Sequence, residues 1–95
     1  MYAVVRRYKG ATTLFDELSR REQDVREVIM GTPGVVAYYL VRSQDGGVTI
    51  TVCQDQNGTA ESSRRAADWI RQNLPNTAGG TPEVTEGEVV FNFDQ

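Results

Sequence analysis

The sequence predicts an α+β domain whose elements run strand, helix, strand, strand, helix, strand. Three observations lead there. Residues 35–55 read as a hairpin, two runs rich in Val, Ile, Tyr and Thr around Asp45-Gly46-Gly47, and glycine there supplies the positive φ of a tight turn. Apolar residues recur at helical spacing on either side of the hairpin, in 13–30 and 59–74. Short runs of β-formers lie at 2–8 and 88–93.

Size and composition narrow the reading. The 95 residues are expected to form one domain spanning 1–95, and a chain of this length buries roughly two-thirds of its unfolded surface. Hydrophobic residues at 39% and charged residues at 24% describe an ordinary globular domain. No stretch approaches the ~20 apolar residues of a membrane span. In MYAVVRRYKG the basic residues follow a short apolar run. That is the reverse of a secretory signal, so a cytoplasmic location is expected. Cys53 is the one cysteine and histidine is absent, so neither an internal disulfide nor a metal site is expected. Net charge is −3, and Arg20, Arg21 and Arg26 interleave with Glu17, Glu22, Asp24 and Glu27. That pattern describes a solvated helix face, and nucleic acid is not an expected partner.

The first strand, 2–8, centres on Val4-Val5 and ends at Gly10. Its two rows, Tyr2, Val4, Arg6, Tyr8 and Ala3, Val5, Arg7, leave open which one meets the helices. The first helix, 13–30, can be capped by Thr13 with Asp16 three residues on. Its stripe is Leu14, Phe15, Leu18, Val25, Val28 and Ile29, interrupted at Arg21 and Glu22. Either the helix overhangs the sheet there or a polar group faces a cavity. Gly31 and Pro33 stop it.

A turn at Asp45-Gly46 would set Ser43 opposite Val48, Val41 opposite Ile50 and Tyr39 opposite Val52. Alternation sorts Ala37, Tyr39, Val41, Val48, Ile50 and Val52 onto one face, read as the core face under the helices. Val36, Tyr38, Leu40, Arg42, Thr49, Thr51, Cys53 and Asp55 fall on the other. The second helix, 59–74, is capped by Asn57 or Thr59 and buries Ser63, Ala66, Ala67, Ile70 and Leu74. Trp69, at the stripe's edge, closes the core or lines a pocket. The glycine-rich 76–82 connector lacks the basic residue and spacing of a phosphate loop. The last strand, 88–93, has an apolar row, Val89, Phe91 and Phe93, and a mixed one; 84–86 is expected as a short extended piece.

This order is the ferredoxin-like β-α-β-β-α-β arrangement, a four-stranded antiparallel sheet with two helices on one face. A solvated face should alternate cleanly to polar. The mixed row does not, and such apolar patches mark interfaces. Val36, Tyr38, Leu40, Thr49, Thr51, Cys53, Val90 and Asn92 are therefore expected to form a homodimer seam.

The YAVVRRYKG opening, the first helix running into GTPGVVAYYLVRS, the Asp-Gly-Gly hairpin and the VTITV strand carry a resemblance over essentially the whole chain. It resembles the dimeric α+β barrel superfamily, most of all its antibiotic-biosynthesis-monooxygenase-like branch. The resemblance implies two sheets closing into a barrel and a small planar ligand held between sheet and helices. Relatives include cofactor-independent oxygenases of polyphenols and heme degraders. The heme degraders use a histidine iron ligand, which is absent here. The aromatic residue that relatives often carry near the end of the third strand is replaced by Cys53-Gln54-Asp55-Gln56. Candidate ligand-binding residues are Trp69, Tyr39 and Phe91, with Arg21 or Glu22; an arginine could stabilise a phenolate. No cofactor is expected. The alternative is a non-enzymatic ligand-binding or regulatory dimerisation module.

Overall fold

The first strand, β1 (Tyr2–Lys9), lies inside the sheet and is paired on both edges. The computed structural model describes residues 1–76 and 81–94. The remaining elements are α1 (Thr12–Arg20), α2 (Glu22–Met30), β2 (Val35–Ser43), β3 (Gly46–Cys53), α3 (Gln56–Asn73) and β4 (Glu83–Glu88). Strand order is β2-β3-β1-β4, with every pairing antiparallel. The α+β class and the ferredoxin-like layout are as expected, with three helices instead of two.

The expected first helix is broken at Arg21 (φ −117°, ψ 44°). The Arg21 N–H closes α1 on the Leu18 carbonyl, and the Arg21 carbonyl accepts the first bond of α2 from Val25 N–H. The gap in the apolar stripe is thus a change of helix. Thr13 caps nothing: the N-cap is Ala11, without a side-chain bond, and Asp16 instead reaches Arg42 on β2 at 3.4 Å.

The hairpin register is displaced by two residues from the expected one. Ser43 pairs with Gly46, Val41 with Val48 and Tyr39 with Ile50, because the loop is Gln44-Asp45 and Gly46 already belongs to β3. Gly46 has φ 138°, and a Cβ on Gly47 would lie 2.3 Å from the Phe15 ring. Both glycines are therefore required, one by backbone angle and one by space.

Alternation sorted the side chains correctly, but the two faces are exchanged. Thr49, Thr51 and Cys53 are buried, and Leu40 packs on the core of Ala11, Leu14, Phe15, Leu18 and Leu74. Tyr38, Leu40, Thr49, Thr51 and Cys53, expected at a dimer seam, thus lie beneath the helices. The set expected as core, Ala37, Tyr39, Val41, Val48, Ile50 and Val52, shares the opposite face with Ala3 and Val5. There Tyr39 and Val41 are half exposed. Val36 sits in a β-bulge and is exposed. The inversion has a physical reason. Thr and Ser hydroxyls can be satisfied locally, as when Thr59 donates to the Gln56 carbonyl (2.9 Å) and Ser62 to the Thr59 carbonyl (2.9 Å). Small residues also let a helix lie close to the sheet, and Gly58, Thr59 and Ser62 are buried there.

α3 begins earlier than expected. Asp55, not Asn57 or Thr59, is the N-cap and accepts from Gly58 N–H at 3.1 Å. Ala67 is exposed. β4 is 83–88, and the more strand-like 88–93 run is not the last strand. Tyr2, where β1 begins, pairs with Glu88. Past the Val89 N–H bond to the Met1 carbonyl (2.9 Å) no strand lies opposite among the described residues. Val90, Phe91 and Phe93 are consequently exposed, and neither Val90 nor Asn92 belongs to the sheet.

Candidate functional site

α3 crosses β1 with small side chains, Ser63 and Ala66, turned toward it. A row this small cannot fill the space to the sheet, and a cavity of about 400 Å³ remains. Arg6, Tyr8 and Val84 form its sheet wall, and Ser63, Ala66, Ala67 and Ile70 its helix wall. Arg71, Leu74, Pro75 and Pro82 complete the lining. A second space of only about 30 Å³ lies under Trp69 and shares Arg6, Tyr8, Ala66 and Ile70 with the first. Tyr38, Thr49, Leu18 and Val25 also line it.

Arg6 stands between the two spaces. It is 4% exposed. Its Nη1 donates to Thr49 Oγ1 (3.4 Å) and Thr51 Oγ1 (3.3 Å). Its Nη2 donates to Ser62 Oγ (3.3 Å) and Ser63 Oγ (2.6 Å). Hydroxyls solvate the guanidinium without neutralising it, and among the described residues no carboxylate pairs with it. Burying an unpaired charge costs several kcal/mol even after relaxation, so this arrangement is not explained by stability. Burial pushes the Tyr38 phenol up to about 12, with the Arg6 charge opposing the shift. Tyr8 is raised for the same reasons. Both phenols are therefore neutral near pH 7 and are not bases there. Burial also raises the Cys53 thiol. Among the described residues, no group of three or more His, Cys, Asp or Glu could hold a metal ion.

Of the five residues expected at a ligand site, none lines the larger cavity, and only Trp69 reaches the smaller space beside it. It packs on the core and also lines the smaller space. Arg21 covers the indole, its guanidinium carbon 5.1 Å from the ring centroid, and bonds Asp24 at 3.0 Å. Glu22 and Tyr39 line a separate groove between the α1–α2 pair and the edge strand β2. Phe91 is exposed and stacks on Phe93 with centroids 5.9 Å apart. Arg6 was missed because neither row of β1 could be assigned to a face. The signal was present across the strands: Arg6 shares its row with Val4 and Tyr8, and it faces the hydroxyl row of β3.

No family model matches the chain, and no curated protein matches it. Solved structures do. A protein of unknown function from Nitrosomonas europaea superposes with TM-score 0.76 at 12% identity, over 99% of this chain and 93% of that one. The heme-degrader MhuD from Mycobacterium tuberculosis, with two hemes bound in its active site, superposes with TM-score 0.72 at 15% identity, over 99% and 100%. The monooxygenase ActVA-Orf6 of Streptomyces coelicolor, in complex with nanaomycin D, gives TM-score 0.66 at 19% identity, over 99% and 90%. The strand order, the helices gathered on one face and these superpositions together establish that the chain has the antibiotic-biosynthesis-monooxygenase-like fold.

Proposed function

We propose that the protein is a homodimer that binds a small aromatic molecule in the cavity between α3 and the sheet. The cavity itself carries this reading. Its volume of about 400 Å³ falls in the range of small-molecule sites, roughly 300–1,000 Å³. Its walls are largely apolar, with Tyr8 and Arg6 as groups that can orient a ligand. ActVA-Orf6, of the same fold, is known in complex with nanaomycin D, which supports an aromatic ligand here. A cofactor-independent oxygenase would need little more than such a site, one that holds an electron-rich ring and excludes water. The non-enzymatic alternative needs the same pocket, and oxygen uptake in the presence of a bound phenol separates the two. Heme does not fit. The sequence has no histidine, and the ionisable side chains lining the cavity are Arg6, Arg71 and Tyr8, whose phenol is pushed up.

A second copy is invoked for the uncovered sheet face. Ala3, Val5, Ala37, Tyr39, Val41, Val48, Ile50 and Val52 lie there together, and an apolar patch of this kind is rarely left to water. A thermal-shift screen against phenols, quinones and amino acids tests the ligand. A ligand at about 100 times its Kd adds about 2.7 kcal/mol of stability, so a matching aromatic raises Tm measurably while amino acids do not. Failure of every aromatic to move Tm or to change Trp69 fluorescence would sink the proposal.

A further inference from the structure

We infer that the ligand of this cavity is an aromatic oxyanion, a ring bearing a carboxylate or acidic phenol, whose charge is held by Arg6. The inference rests on the ligand-binding reading above and adds the charge of the ligand to it. Two independent observations carry it. Arg6 is 4% exposed, and the bonded partners of its guanidinium are the hydroxyls of Thr49, Thr51, Ser62 and Ser63. The second is the sign of the lining. Among the described residues, the larger cavity has Arg6 and Arg71 in its wall and no Asp or Glu, and the space under Trp69 has none either. Positions 77–80, between Asn76 and Thr81, are Thr, Ala, Gly and Gly and add no charge. Arg71 is already paired with Asp68 at the surface, which leaves Arg6 as the lining cation without a counter-ion among the described residues. An anion entering the cavity would complete the pair in a place where water screens it little. The hydroxyls keep the guanidinium fixed, so the site is organised before the ligand arrives. The aromatic part of the ligand is set by Tyr8 and Ile70, which line both spaces, with Trp69 over the smaller one.

The test compares naphthalene-carboxylate with naphthalene-carboxamide, which match in shape and differ in charge, by calorimetry and Trp69 fluorescence at neutral pH. The carboxylate is expected to bind the unmodified protein about tenfold more tightly or better, as a charged hydrogen bond implies. In Arg6→Gln and Arg6→Met the preference disappears while the carboxamide still binds. Equal affinities in the unmodified protein overturn the inference and leave the aromatic pocket standing. A preference that survives both substitutions, with circular dichroism unchanged, removes Arg6 from the role. If neither compound binds, the pocket reading fails and this inference with it. Should both Arg6 variants fail to fold, the comparison in the unmodified protein decides the matter. Arg71→Gln is then expected to leave the preference intact.

Discussion

At Gly58 α3 lies close against the end of β3. A Cβ there would stand 2.8 Å from Cys53 Cβ and 3.5 Å from the Pro33 carbonyl oxygen. Two effects oppose each other in Gly58→Ala. Alanine is the better helix former by about 1 kcal/mol, whereas forcing atoms into a packed interior costs about 1–3 kcal/mol. The contact is with a Cβ, which cannot swing away, so the clash should win and the urea midpoint should fall. A higher midpoint would mean that α3 can lift from the strand. Tyr38 gives a pH prediction. Its phenol is pushed up to about 12 by burial, against about 10 in an unfolded chain. Below pH 10 both states hold the proton and the stabilisation is complete. Between about 10 and 12 the unfolded chain loses it first, and stability is lost as pH rises through that window. Tyr8 adds in the same direction. Tyr38→Phe should therefore move the alkaline unfolding midpoint upward, read by circular dichroism alongside tyrosinate absorbance; an unmoved midpoint would assign the transition to other groups. At this scale Trp69 was legible from its place on the helix stripe. Arg6 was not, because an arginine within a strand looks the same in sequence whether it points to water or beneath a helix.

The elements were legible where a backbone requirement fixed them and less so where pairing did. Asp55 is an example of the first kind. It is extended (φ −149°, ψ 177°) and its carboxylate accepts from Gly58 N–H, satisfying one of the free donors of the first turn. Asp55→Ala should cost about 1 kcal/mol and Asp55→Asn much less, measured by denaturant unfolding; equal losses would show that charge and not the bond matters. β4 is an example of the second kind. EVTEGE has little β character, yet it is the strand, because Arg7 to Tyr2 of β1 lie opposite it. The FNF segment has the composition without the partner. The break at Arg21 shows the same limit. The missing apolar positions were visible, but the choice between an overhang and a new helix depends on where the Leu18 carbonyl finds its donor.

For the whole molecule, the inverted faces reassign the dimer test. Leu40 packs on the core and Ile50 lies on the uncovered face. Leu40→Asp should unfold the chain, since it buries an unpaired charge. Ile50→Asp should instead release folded monomers near 10.6 kDa, seen by light scattering with helix content retained. A dimer that survives Ile50→Asp with its stability unchanged would place the seam elsewhere. The sequence could not settle the sign of the two faces, because both carry enough apolar surface to need covering. The burial of Thr49, Thr51 and Cys53, with Arg6 among the threonine hydroxyls, tells which one the helices take. The central place of β1 has a consequence for how the molecule comes together. Tyr2 stands opposite Cys53 on one side and Glu88 on the other, so the first strand of the sheet is fully paired only when the last one is in place. The hairpin and helices can form from local contacts, but the β1–β4 ladder joins the most distant parts of the chain, and such closures are slow. Val84 and Pro82, part of the cavity lining, come into position with that ladder. The cavity wall therefore joins residues far apart in the chain, and Arg6 has its full surroundings only once β4 has paired with β1.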